Sequence, residues 1–184
     1  MKLNQIFHDL LSEAAFNTRF DKIEWEQKLG IFAASAIIDG SQFQLTIEPA
    51  TFSVQDNQHT YLNLGFSRMT EDGPTEKLIK TGKDQSRVFG AIKNALVDKV
   101  TELGEKFEID AIVMLIVAGE EKRSTMYNHL LTSKLHGFTQ WTGFRAEIKM
   151  PQGTALVGMK KQLGKEEFAA LKAEIESHGK TVSL

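Results

Sequence analysis

Apolar residues at three- and four-residue spacing open the chain: Leu3, Ile6, Phe7, Leu10 and Leu11 mark residues 1–16 as an amphipathic helix. Residues 21–27 are then charged and carry Trp25. Residues 31–38 and 42–47 are strand-like and are joined by Asp39-Gly40-Ser41, which has hairpin chemistry. Pro49 is expected to end the second of them, because proline cannot donate to a ladder. Residues 60–68 form another predicted strand, with Tyr61, Leu62, Leu64 and Phe66. A turn at Glu71-Asp72-Gly73-Pro74 leads to a short strand over 75–81. The front half is expected to be an antiparallel meander.

The pattern changes after Gly82. From Arg87 a helix is predicted, with Val88, Ile92, Leu96, Val100 and Leu103 on one face, Lys93, Asp98 and Glu102 away from it, and Gly104 as its stop. Residues 109–118 are nearly unbroken apolar sequence, as in a strand covered on both faces. A helix over 124–135, a hairpin pairing 144–150 with 154–161, and a closing helix over 165–177 complete the series. The expected fold class is α+β, an α/β sandwich with a mixed, mostly antiparallel sheet and flanking helices. It divides into the helix of residues 1–16 and a single domain over 17–184.

Composition narrows the function without naming it. A net charge of −2 argues against a strongly basic nucleic-acid binder. The absence of cysteine removes disulfides, thiolate metal sites and cysteine nucleophiles. The longest apolar run, 111–118, is too short to span a bilayer, so no membrane partner is expected. The five histidines lack metal-ligand spacing, and no metal is expected. Thr81-Gly82-Lys83 resembles the end of a phosphate-binding loop, but Lys77 stands at the first glycine and Asp84 at the magnesium-holding hydroxyl. No serine lies in a Gly-x-Ser-x-Gly elbow.

The order of elements from about Tyr61 to Lys161 resembles the GNAT superfamily of N-acetyltransferases. Three stretches carry the likeness: Gln85-Ser86-Arg87-Val88-Phe89-Gly90 at a strand-to-helix junction, the apolar strand at 109–118, and Met126-Tyr127-Asn128-His129-Leu130 before His136-Gly137-Phe138. Helix N-termini bind pyrophosphate through backbone N–H groups, and glycine allows close approach. The resemblance implies a GNAT-like fold, with Gln85, Arg87 and Gly90 at the cofactor and Tyr127 as the acid that protonates the leaving thiolate. Val88 replaces the family's middle glycine, where a β-branched side chain should crowd the phosphate. No cofactor is therefore expected, and acetyl-CoA would be the cofactor of an active enzyme.

The first residues are similar to the capsid-targeting leaders of T4-like tailed phages. These are amphipathic helices ending in Leu/Ile-x-Glu, matched here by Leu11, Ser12 and Glu13 before Ala14. The body is similar to small tailed-phage proteins, through Lys80-Thr81-Gly82, Arg87-Val88-Phe89 and Lys122-Arg123-Ser124. These likenesses imply a phage accessory protein with a catalytically degenerate domain used for binding. Its partners would be a phage capsid or scaffold, or a host protein, in the host cytoplasm or the virion. The alternatives are an active acetyl-CoA-dependent N-acetyltransferase and a packaged internal virion protein.

Overall fold

The computed structural model describes residues 18–75, 82–117, 127, 140, 143–151 and 153–179. The expected helix at 1–16 with its cleavage point after Glu13, residues 76–81, and the expected helix at 124–135 apart from Tyr127 lie outside the described residues. The described elements are β1 (Lys22–Lys28), β2 (Ile31–Ile38), β3 (Ser41–Val54), β4 (Asn57–Thr70), β5 (Gly73–Thr75), α1 (Gly82–Gly104), β6 (Ala111–Val117), β7 (Phe144–Met150), β8 (Gly153–Met159) and α2 (Lys165–Gly179). The strands join in one eight-stranded sheet of order β1-β2-β3-β4-β6-β8-β7, with β5 on β4.

This architecture corrects the expected GNAT-like α/β sandwich with flanking helices. Among the described residues a large mixed sheet dominates, accompanied by two helices. The difference arises where strand was read as something else. Period-two alternation of Ile23 and Trp25 with Lys22, Glu24 and Glu26 makes β1 out of a segment whose charge hid its pattern. β3 also runs through Pro49, the expected stop. The ladder from β2 ends at Phe32↔Ile47, so beyond that point proline need not supply a hydrogen to β2.

The chain divides into two compact units, residues 1–47 with 65–103 and residues 48–64 with 104–184. In the first, β1, β2 and β3 pair antiparallel, with Trp25↔Ala34 and Ala34↔Leu45 in register. One sheet face presents Ala34, Ala36, Ile38, Phe43, Leu45 and Ile47, all buried. Helix α1 covers this face with Val88, Ile92, Leu96 and Val100, each at most 1% exposed. Lys99 of α1 lies 5.8 Å from the Trp25 ring centre and 5.2 Å from that of Phe32. Asn94 donates to the Thr18 carbonyl at 2.8 Å, and Arg19 pairs with Asp98.

In the second unit, β4 pairs in parallel with β6 from Tyr61↔Ala111 to Leu64↔Met114, and β6, β8 and β7 continue antiparallel. Tyr61, Ala111, Val113, Val157, Ile148 and Met159 share a core cluster with Leu171 and Ile175 of α2. The strand β6 therefore lies between two neighbours, as its apolar run predicts. Val113 is 1% exposed, whereas Leu115 is only partly buried. Val113→Ala is expected to lower stability by about 2 kcal/mol, and Leu115→Ala by less than its size suggests. Urea denaturation of the two variants checks this ordering. No described helix is long and apolar enough to cross a membrane.

Candidate functional site

The residues singled out by sequence fall into both units. Gln85, Arg87 and Gly90 lie in the first turns of α1, and Tyr127 belongs to the second unit. Arg87 is half exposed, and its guanidinium lies 3.3 Å from the Asp39 carboxylate. Asp39 sits at the β2–β3 hairpin tip with φ 50, and its backbone N–H donates to the Asp21 carboxylate at 3.0 Å. The cation expected at an anion is thus engaged with a carboxylate of its own chain, although such a solvent-exposed pair is weak. Gly90 is buried. Val88 is fully buried, so its side chain faces the core rather than the opening of the helix. Burial at that position reflects core packing, which sequence spacing had also predicted for the residue. Tyr127 is helical and 5% exposed.

The second unit contains a titratable cluster that the sequence reading passed over. His59 of β4 stacks on Phe52 of β3, with ring centres 4.9 Å apart and 15° between planes. Its Nδ1 lies 3.3 Å from Asp110 Oδ2 and its Nε2 3.7 Å from Glu167 Oε1. Asp110 also accepts the Thr60 backbone N–H at 3.2 Å, and Lys161 Nζ lies 3.9 Å from its other oxygen. Glu167 accepts the Gly164 backbone N–H at 2.6 Å, holding the start of α2. With a carboxylate at each ring nitrogen and only 11% of the side chain exposed, His59 has no nitrogen turned to a substrate. The arrangement joins β4, the start of β6 and α2, and it is structural. Sequence offers no signal for it, because the partners are far apart in the chain and share no motif.

Two further buried groups have displaced titrations. Burial pushes the Tyr61 phenol up to about 12, Glu174 and Glu48 add to this, and a hydrogen bond with Asn63 opposes it. Tyr61 therefore stays neutral and serves the core. Burial, with the Arg19 charge nearby, pulls the Lys93 ammonium down to about 8. Among the described residues no group of histidine, cysteine, aspartate or glutamate side chains could hold a metal ion.

The open side of the first unit differs in kind. On the sheet face opposite α1, an open hollow of about 380 Å3 is lined by Glu24, Glu26, Lys28, Ser35, Gln42 and Gln44, with Ala33 and Met69 between them. Alternation along the strands places these side chains on the uncovered face. Lys22 pairs with Glu24 at 3.0 Å, Lys28 with Glu26 at 2.5 Å, and Gln42 donates to Ser35 at 3.1 Å. Carboxylates, amides, an ammonium and a thioether suit recognition. Neither Arg87 nor Gly90, which belong to the same unit, lines the hollow. No protein family, curated protein or solved structure matches this chain.

Proposed function

We propose that this protein is a phage accessory protein that works as a binding module without acyl-transfer chemistry. One observation carries the reading. Within the first unit, a hollow on the open sheet face has a polar lining suited to contact with a partner, and neither Arg87 nor Gly90 of that unit is part of the lining. The pairing of Arg87 with Asp39 supports it, because it reduces the positive charge available to a phosphate. The phage setting rests on the leader-like sequence ending at Leu11-Ser12-Glu13. Its partners are a capsid or scaffold component, or a host protein.

Calorimetry with acetyl-CoA tests the reading. The expected result is no saturable heat. Micromolar affinity, about −8 kcal/mol, would overturn the binding-module reading in favour of an acetyl-CoA-dependent N-acetyltransferase. Tyr127→Phe should then reduce turnover more than binding. Mass spectrometry of virions tests the packaged alternative, for which a mature chain beginning at Ala14 is the expected signature.

A further inference from the structure

The sheet order ends in β7, which among the described residues pairs with β8 alone, from Phe144↔Met159 to Met150↔Gly153. An edge strand turns a row of unpaired N–H and C=O groups toward any strand that comes alongside. Alternation puts Arg145, Glu147 and Lys149 on one face of β7, all exposed, and Phe144, Ala146, Ile148 and Met150 on the other. That second face joins the core through Ile148 and Met150, yet its first residue, Phe144, is 40% exposed. The other edge of the sheet, β1, has its charges matched within the chain, Lys22 with Glu24 and Lys28 with Glu26. On β7 the residues across from Arg145, Glu147 and Lys149 are Gly158, Leu156 and Thr154 of β8, so no charge on the neighbouring strand answers them.

We propose that β7 is a docking edge for a second copy of this chain, the two β7 strands pairing antiparallel about a two-fold axis at Ala146. The strand itself selects partner and register. Polar face meets polar face only if the axis passes through a residue, because a slip by one flips every side chain. An axis at Ala146 sets Arg145 opposite Glu147 of the second copy, and the two-fold makes this pair twice. It also lays Phe144 opposite Ile148 and beside Ala146 of the second copy, which covers the exposed ring. An axis at Arg145 or at Glu147 would oppose like charges. An axis at Ile148 would match Glu147 with Lys149, but it leaves Phe144 past the paired stretch and sets Arg145 against Pro151, beyond the end of β7. A partner strand must answer Arg145 with a carboxylate and Phe144 with an apolar side chain two positions either side of its centre, and β7 offers both to its own copy.

Sedimentation equilibrium of the full chain, from micromolar to millimolar concentration, tests the proposal. The expected result is a reversible dimer. Arg145→Glu and Glu147→Arg each turn both cross-strand ion pairs into like-charge pairs, and each should raise the dissociation constant roughly tenfold or more. Both side chains are exposed, so neither change disturbs the core. The double variant carrying both changes restores unlike charges at every opposed pair and should dimerise as the wild type does. An equimolar mixture of the two single variants should likewise associate more tightly than either alone. Lys149→Glu makes the same change of net charge as Arg145→Glu but faces Gly143 in this register, so it should not weaken the dimer. A wild type that stays monomeric at millimolar concentration overturns the proposal, as does a dimer indifferent to Arg145→Glu or a double variant that fails to recover. A loss with Lys149→Glu equal to that with Arg145→Glu overturns the register.

Discussion

Replacing Asp110 with alanine is expected to lower the stability of the protein by roughly 1–3 kcal/mol, the usual cost of leaving buried hydrogen-bonding groups without their partner. Its carboxylate has a side-chain exposure of 9% and faces three groups at once: the His59 ring, the Thr60 backbone N–H and the Lys161 ammonium. Its backbone binds on both sides too, donating to Thr60 O at 2.8 Å and accepting from Lys160 N at 3.1 Å. Alanine keeps those backbone bonds but leaves a part-buried N–H without its carboxylate acceptor and removes one of the two carboxylates beside His59. Asp110→Asn keeps an acceptor for Thr60 and should lose about half as much. Urea denaturation separates the cases, and a loss below about 1 kcal/mol for the alanine variant would show that the cluster does not hold β4, β6 and α2 together.

Lys93→Met is expected to have a large effect of the opposite sign. Lys93 is fully buried on α1, where burial and the Arg19 charge bring its ammonium from an ordinary 10.5 to about 8. Below about pH 8 the folded protein carries a buried charge that the unfolded chain keeps in water, a difference of roughly 3 kcal/mol. Between about 8 and 10.5 the unfolded state binds a proton that the folded state lacks. Stability should therefore rise with pH through that window, by up to about 1.4 kcal/mol per pH unit. Methionine has a similar length and no charge, so the variant should be more stable at neutral pH by about 1–3 kcal/mol, and its curve should be flat over the alkaline window. Thermal melts of both proteins between pH 7 and pH 10.5 check the sign. A destabilised variant at pH 7 would show that the ammonium makes a net favourable interaction in the folded state.

Periodicity made the apolar elements legible. The helical spacing of Val88, Ile92, Leu96 and Val100 marks a face that is buried in α1. The unbroken run around Ile112 and Met114 marks a strand with neighbours on both sides. Charge hid β1, whose inward Trp25 alternates with Glu24 and Glu26, and a proline hid the length of β3. Proline excludes itself from a strand only where a ladder needs its hydrogen, and that requirement depends on where the neighbouring strand ends. Lys93 was expected to point away from the apolar face of its helix and is instead fully buried, because spacing along one helix cannot report what packs on its other sides. The His59 cluster was invisible for the same reason. Asp110 is 51 residues from His59, and the spacing is set by the sheet rather than by any motif.

The boundary between the two compact units falls inside β3, after Ile47, and again inside β4, before Gly65. Neither unit is therefore a continuous stretch of chain, and this constrains synthesis. Residues 1–47 leave the ribosome without the 65–103 segment that completes their unit, and by then residues 48–64 have already emerged without theirs. The first unit cannot close until Leu103 is out, and the second waits for α2. Between the emergence of Ile47 and that of Leu103 the hairpins β1–β2–β3 stand in an incomplete unit, a state prone to association with other nascent chains. Pairing over long sequence separations also slows folding. Truncation at any point between residues 47 and 103 would leave both units open, so this protein cannot be divided into two separately expressed halves at either of its natural boundaries.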